Sequence, residues 1–283
     1  MKKLFSSLLV ALLGFTLIAC DDVVKEENEI KVYTRDTTSG TRGAFFEIVD
    51  LDDLAGSNEG LAQGFVEVES NGSMMNSVRN DEFGIGYISL SGLAESGLKG
   101  LAFNGVEATE ANVLNDTYTL KRPFMYIRKA DQLITNEDEK ALVNAFLAFM
   151  ETNDGKAIIA NEGGIAEGLD EAPTWASIAA DHPVVESTGA NIEIHFGGST
   201  SVESIGRALS EAFSTIAPRF NPVHAHAGSS AAFSGTREDG NFHIGFASRD
   251  LNATELAGLN DGEFGRLSWD AVVIVVNNLN TLN

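Results

Sequence analysis

Several short stretches join glycine to hydroxyl side chains where a strand gives way to a helix, and that combination is suited to capturing an oxyanion. The first is Arg35-Asp36-Thr37-Thr38-Ser39-Gly40-Thr41-Arg42. A glycine-containing turn lets backbone N–H groups converge, Ser39 and Thr41 add hydroxyl donors, and the helix that follows aims its positive end at the loop. Arg35 adds a planar fork that can hold an oxyanion through two parallel hydrogen bonds. The second stretch is Gly197-Gly198-Ser199-Thr200-Ser201 and the third Gly228-Ser229-Ser230; Ala247-Ser248-Arg249-Asp250 ends a strand. Each of these, alone, reads equally well as a capped turn with its arginines in water. As a set they suit a dehydrated oxyanion, because in open α/β sheets such loops gather at the carboxyl ends of the strands.

The elements that must carry these loops are legible in outline. Residues 30–34, 84–90, 123–128, 191–196 and 242–247 read as strands, and 270–276 is a near-continuous apolar run that suits a buried strand. Residues 43–49, 140–150 and 202–213 read as helices, the second with Leu142, Phe146 and Phe149 at helical spacing. Strands alternating with helices predict an α/β fold. The acidic stretch 170–190, with Pro173 and Pro183, lacks periodicity and reads as a linker. The tetrapeptide Ser-Gly-Thr-Arg recurs at 234–237 in different surroundings and is treated as coincidence.

The rival chemistries are weaker. His224 and His226 alternate as on one face of a strand, but no carboxylate or cysteine cluster accompanies them to make a metal site. His195 stands near Ser199 and Ser201 without a nucleophile-elbow pattern. Trp175 and Trp269 read as packing residues. No metal, cofactor or catalytic residue is expected, and the chain is not expected to be an enzyme.

Composition narrows the classes further. The 283 residues carry a net charge of -22, 43% are hydrophobic, and there are 28 glycines, 5 prolines and one cysteine. That apolar content is enough for a sizeable core in one domain or two small lobes. The acidity argues against nucleic-acid binding. It leaves an anion ligand open, since surface charge is screened within about 10 Å at ordinary salt. Lys2 and Lys3 precede the apolar run 8–18, which has the length of a signal-peptide core and ends in Leu17-Ile18-Ala19-Cys20. These residues resemble a bacterial lipobox, which implies a signal peptide over 1–19, a diacylglyceryl group on Cys20, and a charged tether over 20–29. The expected location is the extracytoplasmic face of the cell membrane.

Residues 32–47, Val-Tyr-Thr-Arg-Asp-Thr-Thr-Ser-Gly-Thr-Arg-Gly-Ala-Phe-Phe-Glu, are similar to the anion loop of the phosphate-binding proteins of ABC importers. So are Ser70-Asn71-Gly72-Ser73-Met74, Ile85-Gly86-Tyr87-Ile88-Ser89-Leu90, residues 103–109 and residues 120–123. Downstream, residues 198–202 and Ile244-Gly245-Phe246-Ala247-Ser248-Arg249 resemble that family's amino-terminal motifs. The order is exchanged relative to the family, so the resemblance implies a circularly permuted chain in which 170–190 joins the former termini. The segment after 270–276 is short for the family, which implies a trimmed lobe. Where some members place an acidic proton acceptor at a strand end, this chain has Arg249, leaving Asp36 and Asp250 as candidates.

The resemblance implies a two-lobed fold of the type II periplasmic-binding-protein kind, with lobes at 30–118 and 119–283 and a hinge that closes on the anion. Arg35, Ser39, Gly40 and Thr41 would come from one lobe, and Thr200, Ser201, Ser229, Ser248 and Arg249 from the other. The expected partners are inorganic phosphate, the permease subunits of an ABC transporter, and the membrane through Cys20. Two alternatives stand beside this reading: a binder of sulfate or molybdate, and a lipoprotein that kept the scaffold without a transport role.

Overall fold

The computed structural model describes residues 29–281 except 238. The lipobox, Cys20 and nearly all of the tether lie outside the described residues. The chain is α/β. Its strands are β1 (Lys31–Arg35), β2 (Val66–Val68), β3 (Gly84–Ser89), β4 (Lys99–Gly100), β5 (Lys121–Arg128), β6 (Ile192–Gly198), β7 (Phe220–His226), β8 (Ile244–Ala247) and β9 (Phe264–Val276). They join in the order β2-β1-β3-β9-β5-β8-β6-β7, with β4 also on β9.

The long strand β9 organises this arrangement. Its last residues pair antiparallel with β3 (Ile85↔Val276 to Ser89↔Val272), while its first part pairs with β5 (Lys121↔Ala271 to Ile127↔Phe264). The chain therefore passes between halves twice, once entering β5 and once within β9. Residues 272–276 stand with the 30–118 half, so a division at 118/119 describes only the first crossing. Each half has its own core. Met74, Val78, Ile88, Val273 and Val275 cluster on one side, and Phe146, Phe196, Phe213, Phe220 and Phe246 on the other.

Local rules explain two departures from the expected boundaries. β9 begins six residues earlier than the apolar run predicts, because Gly265, Arg266 and Ser268 interrupt the apolar pattern of 264–269 while the backbone stays paired with β5. Pro123 is the third residue of β5, not its first. It is tolerated there because β8 pairs only with Met125–Arg128, leaving that edge of β5 open beside the proline. Pro222 sits in β7, which is an edge strand and also tolerates it.

The 170–190 stretch is less loose than a linker. It forms the short helix Trp175–Ile178 and the tight turns Ala179–Asp181 and Pro183–Glu186. Trp175 packs edge-on against Phe149 and Phe213, at 5.8 Å from each, and stacks on His182 at 5.7 Å. Asp154 accepts the Trp175 amide at 2.7 Å. The stretch covers one flank of the second core.

Candidate anion-binding site

The site begins where β1 stops. Arg35, the last residue of β1, is 1% exposed. Its Nε donates to the Val68 carbonyl at 3.3 Å and its Nη2 to the Glu69 carbonyl at 3.0 Å, so the parallel neighbour β2 fixes the guanidinium. Asp36 lies 3.4 Å from Nη2 and turns its other oxygen to the Thr38 amide at 2.9 Å. Burial lowers the Arg35 pKa, and the Asp36 carboxylate opposes that shift. Ser39 caps the helix Gly40–Ile48 by accepting from the Arg42 amide. Arg42 is buried and structural: it donates to the carbonyls of Arg35 (2.8 Å), Leu54 (2.8 Å) and Ser57 (2.6 Å).

The second half supplies a matching set. The Ser199 amide donates to the Phe246 carbonyl at 2.7 Å, and Ser199 Oγ accepts from the Ser201 amide at 3.1 Å. Ser229 Oγ accepts from the Ser248 amide at 2.9 Å and lies 3.2 Å from Ser248 Oγ. Ser199, Ser201, Ser229 and Ser248 are all buried.

The two sets meet. Thr41 Oγ1 and Ser201 Oγ are 2.8 Å apart, Arg35 Nη2 donates to Thr200 Oγ1 at 3.4 Å, and the Asn71 amide donates to the same oxygen at 3.3 Å. A Cβ at Gly40 would stand 2.1 Å from Ser229 Oγ and 2.7 Å from Ser248 Oγ, so only glycine permits this approach. Gly228, with φ +140, packs on Thr38, whose Oγ1 would stand 2.7 Å from an added Cβ. Ser230 seals the contact by donating through Oγ to the Thr38 carbonyl at 3.1 Å. At this junction Arg35 Nη1 is buried and has no hydrogen-bond partner among the described residues. Thr200 and Ser201 also line a cleft of about 440 Å³ between the halves, with Asn71, Ser91 and Arg207. A cavity of similar size, about 430 Å³, lies elsewhere and is lined mainly by apolar residues such as Val32, Phe45, Ile85 and Ile274.

The structure thus gathers Arg35, Ser39, Gly40, Thr41, Thr200, Ser201, Ser229 and Ser248 in one place. Arg249 is different. Its guanidinium makes a two-pronged pair with Glu255, at 2.8 and 2.9 Å, and lies near Gly43 at the edge of the site. Its pKa is raised, first by that hydrogen bond. Asp250 is exposed, whereas Asp36 stands beside Arg35.

Sequence reasoning gave no role to Arg122, Asp270 or Ser89, which form a buried network beside the loops. Arg122 Nε donates to Asp270 Oδ2 at 2.8 Å, Ser89 Oγ lies 2.8 Å from each Asp270 oxygen, and Arg122 Nη1 donates to the Ser248 carbonyl at 3.1 Å. The available signal was a charged residue opening an apolar run, Asp270 before 271–276. Among the described residues, no group of three or more His, Cys, Asp or Glu is placed to hold a metal, and no helix is long and apolar enough to cross a membrane.

No family model matches the chain. The phosphate-binding protein PstS 2 of Streptococcus pneumoniae serotype 4 is 29% identical over 288 aligned positions, covering 99% of this chain and 90% of that protein. PstS 2 of Streptococcus agalactiae serotype V is 27% identical, covering 99% and 91%. The crystal structure of a phosphate-binding protein of a phosphate ABC transporter from S. pneumoniae TIGR4 superposes with a TM-score of 0.61 at 27% identity, over 89% of this chain and 90% of that one. Along nearly its whole length, in sequence and in fold, this chain is similar to the phosphate-binding proteins of phosphate ABC transporters.

Proposed function

We propose that the chain captures inorganic phosphate between its two halves and presents it to the permease of an ABC importer, working from the outer face of the membrane through a lipid on Cys20. The observation that carries this reading is Arg35 Nη1: a buried, unpartnered N–H at the point where hydroxyls from both halves converge. A buried donor without an acceptor is costly, and an oxyanion supplies the acceptor. Charge-assisted bonds contribute roughly 1.5–3 kcal/mol each, and micromolar affinity needs about 8 kcal/mol. Arg35, Ser39, Thr41, Thr200, Ser201, Ser229 and Ser248, with the Gly40 backbone, offer more donors than that requires. Arg249 is assigned to bracing the strand end through Glu255.

A protonated phosphate also needs an acceptor, which sulfate does not. Asp36 is the carboxylate nearest to hand, 3.4 Å from Arg35. Its partial tie to Thr38 keeps a sulfate-type oxyanion as the second reading. The order of the halves is read as a circular permutation of the family's order. The role is capture, not turnover.

Isothermal titration of the mature chain with phosphate, arsenate, sulfate and molybdate tests the proposal. Phosphate and arsenate are expected to bind at micromolar Kd or tighter, at least tenfold better than sulfate. Tight sulfate binding with none for phosphate would replace the substrate, and no binding of any oxyanion would end the reading.

A further inference from the structure

We infer that Arg122 and Asp270 form a buried clamp at the two crossings between the halves, with Arg122 acting as a positioning residue that sets the anion site through the Ser248 carbonyl. The inference deepens the phosphate reading and rests on it for its ligand-binding arm. Arg122 and Asp270 are register partners on β5 and β9, the two strands by which the chain crosses. They are 2% and 0% exposed. Asp270 accepts Arg122 Nε at 2.8 Å, with Nη2 also 2.8 Å away, and it holds Ser89 Oγ and the Ser91 amide (3.3 Å) at the end of β3. In the other direction Arg122 Nη1 reaches the Ser248 carbonyl at 3.1 Å. A single ion pair therefore touches the first half, both crossing strands and one anion loop of the second half.

The chemistry argues for positioning over bulk stability. Burying two charges costs several kcal/mol per ion, and an apolar pair of similar volume often does as well or better for stability. What an apolar pair cannot do is donate to the Ser248 carbonyl. Ser248 in turn donates its amide to Ser229 Oγ, and that oxygen stands where only glycine fits at position 40. Arg122 also lies close enough to Arg35 to oppose its charge, so Asp270 keeps the local balance.

The test uses the mature full chain. Arg122→Met alone strands a buried carboxylate and can fail to fold, so the informative variant is Arg122→Met with Asp270→Leu. Its far-UV circular dichroism and cooperative melting are expected to match wild type. In the absence of ligand, amide hydrogen exchange in 246–249 and 228–231 is expected to accelerate at least tenfold, with β6 and helix Glu137–Met150 unchanged. The phosphate Kd is expected to weaken at least thirtyfold. Arg122→Lys, which keeps the charge but loses the fork, is expected to fall between the two. Unchanged exchange in 246–249 would overturn the clamp, as would an unchanged phosphate Kd in the double variant. A wild type that binds no phosphate would instead sink the ligand reading, and the exchange measurement alone would then decide the clamp.

Discussion

The hydroxyl of Thr41 lies 2.8 Å from the hydroxyl of Ser201, although 160 residues separate them along the chain. Thr41 sits in the first turn of the helix after β1, and Ser201 between β6 and the helix Glu203–Ser214. Two strand-to-helix loops, one from each half, thus meet face to face with Arg35 between them.

Gly40 is the tightest point of the junction. Gly40→Ala places a methyl 2.1 Å from Ser229 Oγ. The helix itself tolerates alanine, so the cost falls on the approach of the halves. Phosphate affinity should drop by about thirtyfold, equivalent to about 2 kcal/mol of overpacking. Titration calorimetry beside a thermal melt checks this; the melting temperature should change little.

The two arginines near the site should separate cleanly. Arg35→Ala removes the unpartnered Nη1 donor and should weaken phosphate binding by about 100-fold or more. Arg249→Ala breaks the pair with Glu255 and should lower stability by about 1–2 kcal/mol, while affinity moves less than about fivefold. Urea melts and titrations of the two variants, run side by side, check the assignment.

Stability should fall in mild acid through a histidine relay. His226 Nδ1 lies 3.0 Å from the Ser199 carbonyl, His226 Nε2 lies 3.1 Å from His224 Nδ1, and His224 Nε2 lies 2.9 Å from Ser210 Oγ. A carbonyl only accepts, so His226 donates from Nδ1. Its neutral ring then accepts His224 Nδ1–H at Nε2, and His224 Nε2 faces the Ser210 hydroxyl, whose one hydrogen also has the Arg207 carbonyl within reach at 2.9 Å. Burial pulls His224 from the usual 6.5 down to about 3, with the neighbouring His226 and Arg207 adding to the shift. Burial also lowers His226, against an opposing pull from Glu203. Below 6.5 and down to the lowered His224 value of about 3, the unfolded chain binds more protons than the folded one. The contribution is therefore complete above about pH 6.5 and declines as pH falls toward 3. Urea melts at pH 7.5 and pH 5 should show a larger loss for wild type than for His224→Asn.

Trp175 anchors the 170–190 stretch. Trp175→Ala removes the ring from between Phe149 and Phe213 and should cost about 2 kcal/mol, less than a fully buried tryptophan because the ring is only partly covered. Denaturant melts check it, and limited proteolysis should find cleavage within 170–190 sooner than in wild type.

Several features were legible because they are local. The Arg35 loop follows a short strand and precedes a capped helix, and the helix Glu137–Met150 shows its apolar face in Leu142, Phe146 and Phe149. The packing of 170–190 has no local signature, because its anchor, Trp175, finds its partners 26 and 38 residues away. The edge strand β7 was half visible, since Pro222 and two histidines obscure its period.

The sequence by itself determined which turns carry donors suited to an anion, because hydroxyls, glycines and an arginine at strand-to-helix turns are fixed by chain order and local backbone preference. Only the tertiary structure decided which of them face one another. The pairing of β3 and β5 on opposite parts of β9 brings Thr41 to Ser201 and Asp270 to Arg122. Pairing across a sheet depends on register between strands far apart in the chain, and no local pattern of residues encodes that register.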